Sequence, residues 1–159
     1  MNRHALLVLA GQGAALCAAA VLIVAGTSKL LDPASFRKAL EAHGVVPPIG
    51  ASAAVLAAPA LEFLVACAAV WALLCRRTAR ACGLCAAVFA GLAAYCLALT
   101  IRPPVRPSGC GCGFTTQTVE SWAPLLATNA SASAVLACLA LGASTARAPH
   151  RRSSGCPPA

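Results

Sequence analysis

Along this chain, long charge-free stretches alternate with short polar links. Residues 5–28, 81–101 and 121–146 contain no Asp, Glu, Lys or Arg, and residues 42–75 contain only Glu62. Each stretch exceeds the roughly 18–20 residues that cross a hydrocarbon core of about 30 Å. Backbone groups in lipid must bond within their own segment, which makes each stretch a helix. The pattern predicts an all-α polytopic membrane protein, a bundle of four transmembrane helices at about 5–27, 51–75, 81–101 and 122–143. A shorter element is signalled between the first two spans. Asp32 followed by Pro33 has the chemistry of an N-cap with proline at the first helical position. Residues 33–43 are therefore expected to form a short outer interfacial helix, with Phe36 and Leu40 turned toward lipid or the bundle.

Composition agrees with this solvent. The chain is 60% hydrophobic and 10% charged, with a mean hydropathy of +0.81, against about 25% charged residues in soluble domains. Its 159 residues suggest one domain, the transmembrane unit 1–144, followed by a Pro- and Arg-rich tail, 145–159, expected to be disordered and cytoplasmic. Arg3 and His4 before an apolar run resemble the start of a signal peptide. The run exceeds the roughly 7–15 residues of a secretory core, so it reads as a retained first helix.

Lys and Arg placement sets the orientation. With four spans, the N-terminus, the 76–80 turn "RRTAR" and the tail share one side. That side carries Arg3, Arg76, Arg77, Arg80, Arg147, Arg151 and Arg152 and no carboxylate. The other side carries Lys29, Arg37, Lys38, Arg102 and Arg106, offset by Asp32, Glu41 and Glu120. Both termini are thus expected in the cytoplasm of a bacterial cell, with the chain multi-pass in its inner (plasma) membrane. The net charge of +8 is explained by topology and lipid head groups, and no nucleic-acid surface is indicated.

Ten cysteines then divide by environment. Cys17, Cys67, Cys75, Cys85, Cys96 and Cys138 lie in or at the ends of Ala-rich spans, where Cys packs as a small hydrophobe. Cys82 and Cys85 form a C-x-x-C, but it begins a span on the cytoplasmic side. Gly83, Ala87 and Gly91 beside it suggest a small-xxx-small packing face. Packing is the preferred reading there over redox chemistry. Cys110-Gly111-Cys112 differs, because it follows "IRPPVRPSG", where prolines and glycine break a helix. It is expected outside, where disulfides persist. A disulfide between residues two apart closes a tight ring, and strained disulfides are labile and oxidising. Redox exchange is the leading reading. A soft-metal site of two thiolates with His43, suited to Cu(I), and an inert pair remain as alternatives.

Several segments together resemble the methylamine utilisation protein MauE family, related in architecture to DoxX-like membrane proteins. They are "AGTSKLLDPASFRKALEAHGVVP", "APALEFLVA", "CGCGF" and "WAPLLATNA", which carry Gly26, Lys29, Leu30, Asp32, Pro33, Phe36, Pro59, Glu62, Cys110, Cys112, Trp122 and Asn129. The likeness covers roughly 20–130. This chain reads Gly113-Phe114 where the family has Phe-Gly. The resemblance implies a polytopic protein needed to mature the disulfide-rich methylamine dehydrogenase β-subunit, alongside a thioredoxin-like extracytoplasmic partner.

In that setting Cys110 and Cys112 are the candidate catalytic thiols, one attacking a disulfide and the other resolving the mixed disulfide, with Arg106 favouring a thiolate. A quinone could receive the electrons, by analogy with four-helix disulfide oxidases. The competing classes are a non-enzymatic assembly partner for a secreted, disulfide-containing client, and a copper-binding membrane protein. Finally, Glu62 is the lone carboxylate inside a predicted span and needs a partner. Lys29 and Asn129 are the candidates, forming a polar cluster that locks helices or handles protons.

Overall fold

The computed structural model describes residues 3–104 and 121–145, the side chains of residues 3, 4, 48 and 49 excepted. Within them the chain forms five helices: α1 (Arg3–Leu31), α2 (Pro33–His43), α3 (Pro48–Leu74), α4 (Thr78–Ile101) and α5 (Ala123–Thr145). All but α2 are long and apolar enough to cross a membrane. Cys110, Cys112, Arg106, Cys156 and nearly all of the expected disordered tail lie outside the described residues.

The four long helices run up and down. α4 pairs most extensively with α5 and α1 with α3, while α1 also touches α4 and α5 across the bundle. Small residues make this approach close. Ala15, Ala18, Ala69, Ala72, Ala81, Cys82, Cys85, Ala86 and Leu136 form the core at the α3–α4 turn end, and Ala19, Leu22, Val65 and Ala66 continue it inward. The large side chains point out: Leu9, Val24, Leu56, Leu64, Trp71, Leu74, Ile101 and Leu141 are all exposed. Lipid solvates them as well as a protein interior would, so association rests on van der Waals contact and interhelical hydrogen bonds. One such bond runs from Ser133 Oγ to the Ala86 carbonyl (3.0 Å).

The face expected from Gly83, Ala87 and Gly91 turns away from the bundle: all three are exposed, and no atom lies within 4 Å of a Cβ placed on either glycine. The packing face is the neighbouring one, through Ala81, Cys82, Cys85, Ala86 and Ala93. On a helix so rich in Ala, Gly and Cys, several faces satisfy a small-xxx-small spacing, so spacing alone does not choose among them.

Local chemistry sets the links. Asp32 caps α2 by accepting the Ser35 N–H (3.0 Å), with Pro33 at the first position, and Gly44 ends it at φ 65°. Positive φ costs glycine little. The α3–α4 turn closes with Arg77 N–H on the Ala72 carbonyl (2.7 Å) and Arg76 N–H on Leu73 (2.8 Å). That paired pattern is a Schellman motif, and it holds Arg76 at φ 55°.

Candidate functional site

Glycine chemistry at the end of α1 and a proline in α3 build the first part of the site. Pro59 cannot donate the N–H that would bond the Val55 carbonyl, and one turn on Glu62 faces α1. Gly26 lies opposite, where a Cβ would stand 3.4 Å from Glu62 Oε2 and 3.1 Å from the Phe63 ring. A larger residue at 26 would push the two helices apart. Lys29, one turn later on α1, reaches Glu62 Oε1 as a buried ion pair. Each of the two residues is less than a tenth exposed. Pairing is what makes two charges tolerable in a bilayer bundle. Oε2 of Glu62, also buried, has no hydrogen-bond partner among the described residues.

Of the two partners expected for Glu62, the structure pairs it with Lys29. Asn129 is turned elsewhere: its side-chain N–H donates to the Leu125 carbonyl (2.8 Å) and points at Cys96 Sγ (3.9 Å). It is held by α5 itself and by α4, and the contact expected for Glu62 with one of the two is the one made by Lys29.

Above that pair sits α2. Phe36 and Leu40 face the bundle and pack on Val55, with Ala54, Ala58 and Tyr95 around them. The Lys29 ammonium lies 5.5 Å from the Phe36 ring centre, within cation–π range. α2 thus covers the ion pair through Phe36. Its last residue, His43, is buried, with Nδ1 2.6 Å from the Tyr95 hydroxyl. The imidazole also meets Trp122 edge-on at 4.9 Å between ring centres. Trp122 in turn packs with Leu99, beside Tyr95 and Leu125. This His43–Tyr95–Trp122 contact was not foreseen. His43 and Trp122 were each noted in the sequence, but nothing links them to Tyr95, 52 residues beyond His43 in a different element.

Among the described residues, the buried charged and imidazole side chains, Lys29, Glu62 and His43, gather toward one end of the bundle, the end at which α2 lies and at which α4 finishes and α5 begins. Pro104 and Ser121, which bracket the segment containing Cys110, Cys112 and Arg106, belong to that end. The opposite end is thiol-rich and, apart from the buried Thr78, apolar. Cys82 and Cys85 are free and fully buried there, and the Cys82 thiol donates to the Gly11 carbonyl (3.3 Å). That bond uses the protonated thiol, which suits packing. Cys17, Cys67 and Cys138 are free and face outward, whereas Cys75, expected to pack as a thiol, is disulfide-bonded. Among the described residues no group of three His, Cys, Asp or Glu side chains is placed to hold a metal ion, and His43, the imidazole of the copper alternative, faces Tyr95 and Trp122.

No curated protein and no solved structure matches the chain. The family model described as methylamine utilisation protein MauE matches residues 4–143, which takes in all four long helices, α2 and the C-G-C segment. With that match and the four membrane-crossing helices together, this multi-pass membrane protein belongs to the methylamine utilisation protein MauE family.

Proposed function

We propose that the chain supports thiol–disulfide exchange on the outer face of a bacterial inner membrane, maturing a secreted, disulfide-containing client of the methylamine dehydrogenase β-subunit type. Cys110 and Cys112 carry the reaction. One thiolate attacks a partner disulfide, forming a mixed disulfide and releasing one partner thiolate. The second thiolate attacks the mixed disulfide, closing a Cys110–Cys112 bond and releasing the other. Two electrons pass to the partner, and the reverse sequence oxidises a client dithiol. Arg106 favours the thiolate form, and a thioredoxin-like extracytoplasmic protein is the partner for regeneration.

One observation carries this reading: the buried Lys29–Glu62 pair and the buried His43 lie toward the end of the bundle where the C-G-C segment is attached. Orientation follows the cations. Lys29, Arg37, Lys38, Arg102 and Arg106 weigh against the seven arginines of the other side. The Cys75 disulfide lies at the arginine-rich end and points the other way, since disulfides are rare in the cytosol. The charge argument is preferred because Lys and Arg act during insertion itself.

The test uses the purified, reduced chain and a soluble aromatic disulfide whose released thiol is coloured. Wild type is expected to release two thiols per chain more than the Cys110→Ser/Cys112→Ser protein, and to finish with Cys110 joined to Cys112. The Cys110→Ser/Cys112→Ser protein should release none from that segment. Equal release by both proteins would reject exchange and favour the assembly-partner reading, in which the thiols are incidental.

A further inference from the structure

We propose that the α3–α4 turn is a binding site for an anionic phospholipid, its phosphodiester held by Arg76 and Arg80 and an acyl chain lying along α4. The inference is independent of the exchange reading, since it concerns the other end of the bundle. It starts from a residue that the turn itself does not favour. Arg76 stands at φ 55°, the one non-glycine residue at positive φ among the described residues. Glycine takes such a Schellman position without steric cost, whereas an L side chain there is strained. The turn thus holds an exposed cation at a backbone cost that glycine would not incur.

That charge has no counterpart nearby in the protein. Arg76 and Arg80 are both exposed, and among the described residues neither is in an ion pair. The described carboxylates are engaged elsewhere: Asp32 caps α2, Glu41 pairs with Arg37, and Glu62 pairs with Lys29. The compensating anion therefore comes from outside the chain. Trp71 and Leu74, in the last turn of α3, are 63% and 73% exposed. An exposed tryptophan at the end of a spanning helix sits at head-group level, where lipid phosphates are the anions at hand. Below Arg80, α4 continues the patch into the bilayer. Leu84, Ala87, Gly91 and Ala94 follow Arg80 at alternating four- and three-residue spacing, so they share its face, and all four are exposed. Among the described residues no atom lies within 4 Å of a Cβ placed on Gly91. This small-residue face, unused in packing the bundle, lets an acyl chain lie close to the backbone. Cations above a smooth apolar strip fit a phosphodiester that carries acyl chains. A free phosphate has nothing to place on the strip.

The experiment uses the full chain in phosphatidylcholine nanodiscs holding a small, equal fraction of either bromine-substituted phosphatidylglycerol or bromine-substituted phosphatidylcholine, with the bromines near the head group. The Trp71 signal is the difference between the chain and its Trp71→Phe variant, since Trp122 is the only other tryptophan. Titrating the brominated lipid gives the preference of this site for one head group over the other. Wild type is expected to prefer phosphatidylglycerol by about fivefold for each arginine that the phosphate meets. Arg76→Gly should lose about fivefold of that preference while unfolding at the same or a higher denaturant concentration in phosphatidylcholine, a combination that a merely structural Arg76 would not give. Arg76→Gly/Arg80→Gln should be quenched equally by both lipids. Equal quenching of wild type by the two lipids would overturn the proposal, and that comparison needs no binding-site variant to fold. A preference undiminished in the double variant overturns it as well, by placing the anion elsewhere. Trp71 shielded from both lipids overturns it in favour of a protein partner on this face.

Discussion

Among the described residues Glu62 is held on one oxygen only, by Lys29, and that pairing governs what substitutions will do. Removing one member leaves a buried charge uncompensated, at about 3–5 kcal/mol, whereas replacing both by apolar residues of similar volume often restores stability. Lys29→Met should therefore be strongly destabilised, and Lys29→Met/Glu62→Leu should regain most of the loss in equilibrium unfolding from mixed micelles. A double variant no better than the single would contradict the pairing. Glu62→Gln separates structure from proton handling. If Glu62 takes up protons during exchange, the variant changes the pH dependence of exchange. An unaltered profile limits the pair to holding helices together.

Asp32 offers a pH test outside the membrane. Hydrogen bonds from the Ser35 backbone and side chain hold its carboxyl below the ordinary 3.8, with Lys38 adding to them and partial desolvation opposing. A carboxylate with a depressed folded value stabilises fully above its unfolded value, and that contribution fades as pH falls through the folded value. Amide protection in the first turn of α2, taken relative to the intrinsic exchange rate at each pH, should thus fall on acidification below about pH 3.8. Asp32→Asn should lose this pH dependence, and a variant that retains it assigns the effect to another group.

At the scale of the element, α1 carries a built-in control. A Cβ at Gly11 would meet Thr78 Cγ2 at 3.0 Å, while one at Gly13 would meet nothing within 4 Å. Gly11→Ala should cost about 1–3 kcal/mol through overpacking, and Gly13→Ala should be neutral or stabilising by up to about 1 kcal/mol through helix propensity. The same unfolding titration reads both, and equal effects would mean that α1 and α4 do not approach as described. Elements of this kind were partly legible beforehand. The start of α2 was, because Asp32, Pro33 and Ser35 act within one turn, and so was a partner for Glu62, because an intramembrane carboxylate demands one. Helix faces were less so: in α4 every side offers small residues, and the choice between Gly83 and Cys82 is made by Gly11 of α1 across the interface. The His43–Tyr95–Trp122 contact was hidden for the same reason, since three elements must assemble before it exists.

At the scale of the whole molecule, polarity is unevenly distributed along the bundle axis. Alanine, cysteine and the buried Thr78 fill one end, and the ion pair, α2 and the His43–Tyr95–Trp122 contact fill the other. The proposed reaction belongs to the second end, and a covalent intermediate would test it most directly. In cells that carry the full-length protein, Cys112→Ser removes the resolving thiol if Cys110 attacks first, and Cys110→Ser does the same for the opposite order. Acid quenching followed by non-reducing electrophoresis is predicted to show, for at least one of the two variants, a reducible adduct with a thioredoxin-like or disulfide-containing extracytoplasmic protein. The adduct should be lost in Cys110→Ser/Cys112→Ser. No adduct in either single variant, or one that persists in the double variant, would contradict exchange through the C-G-C segment.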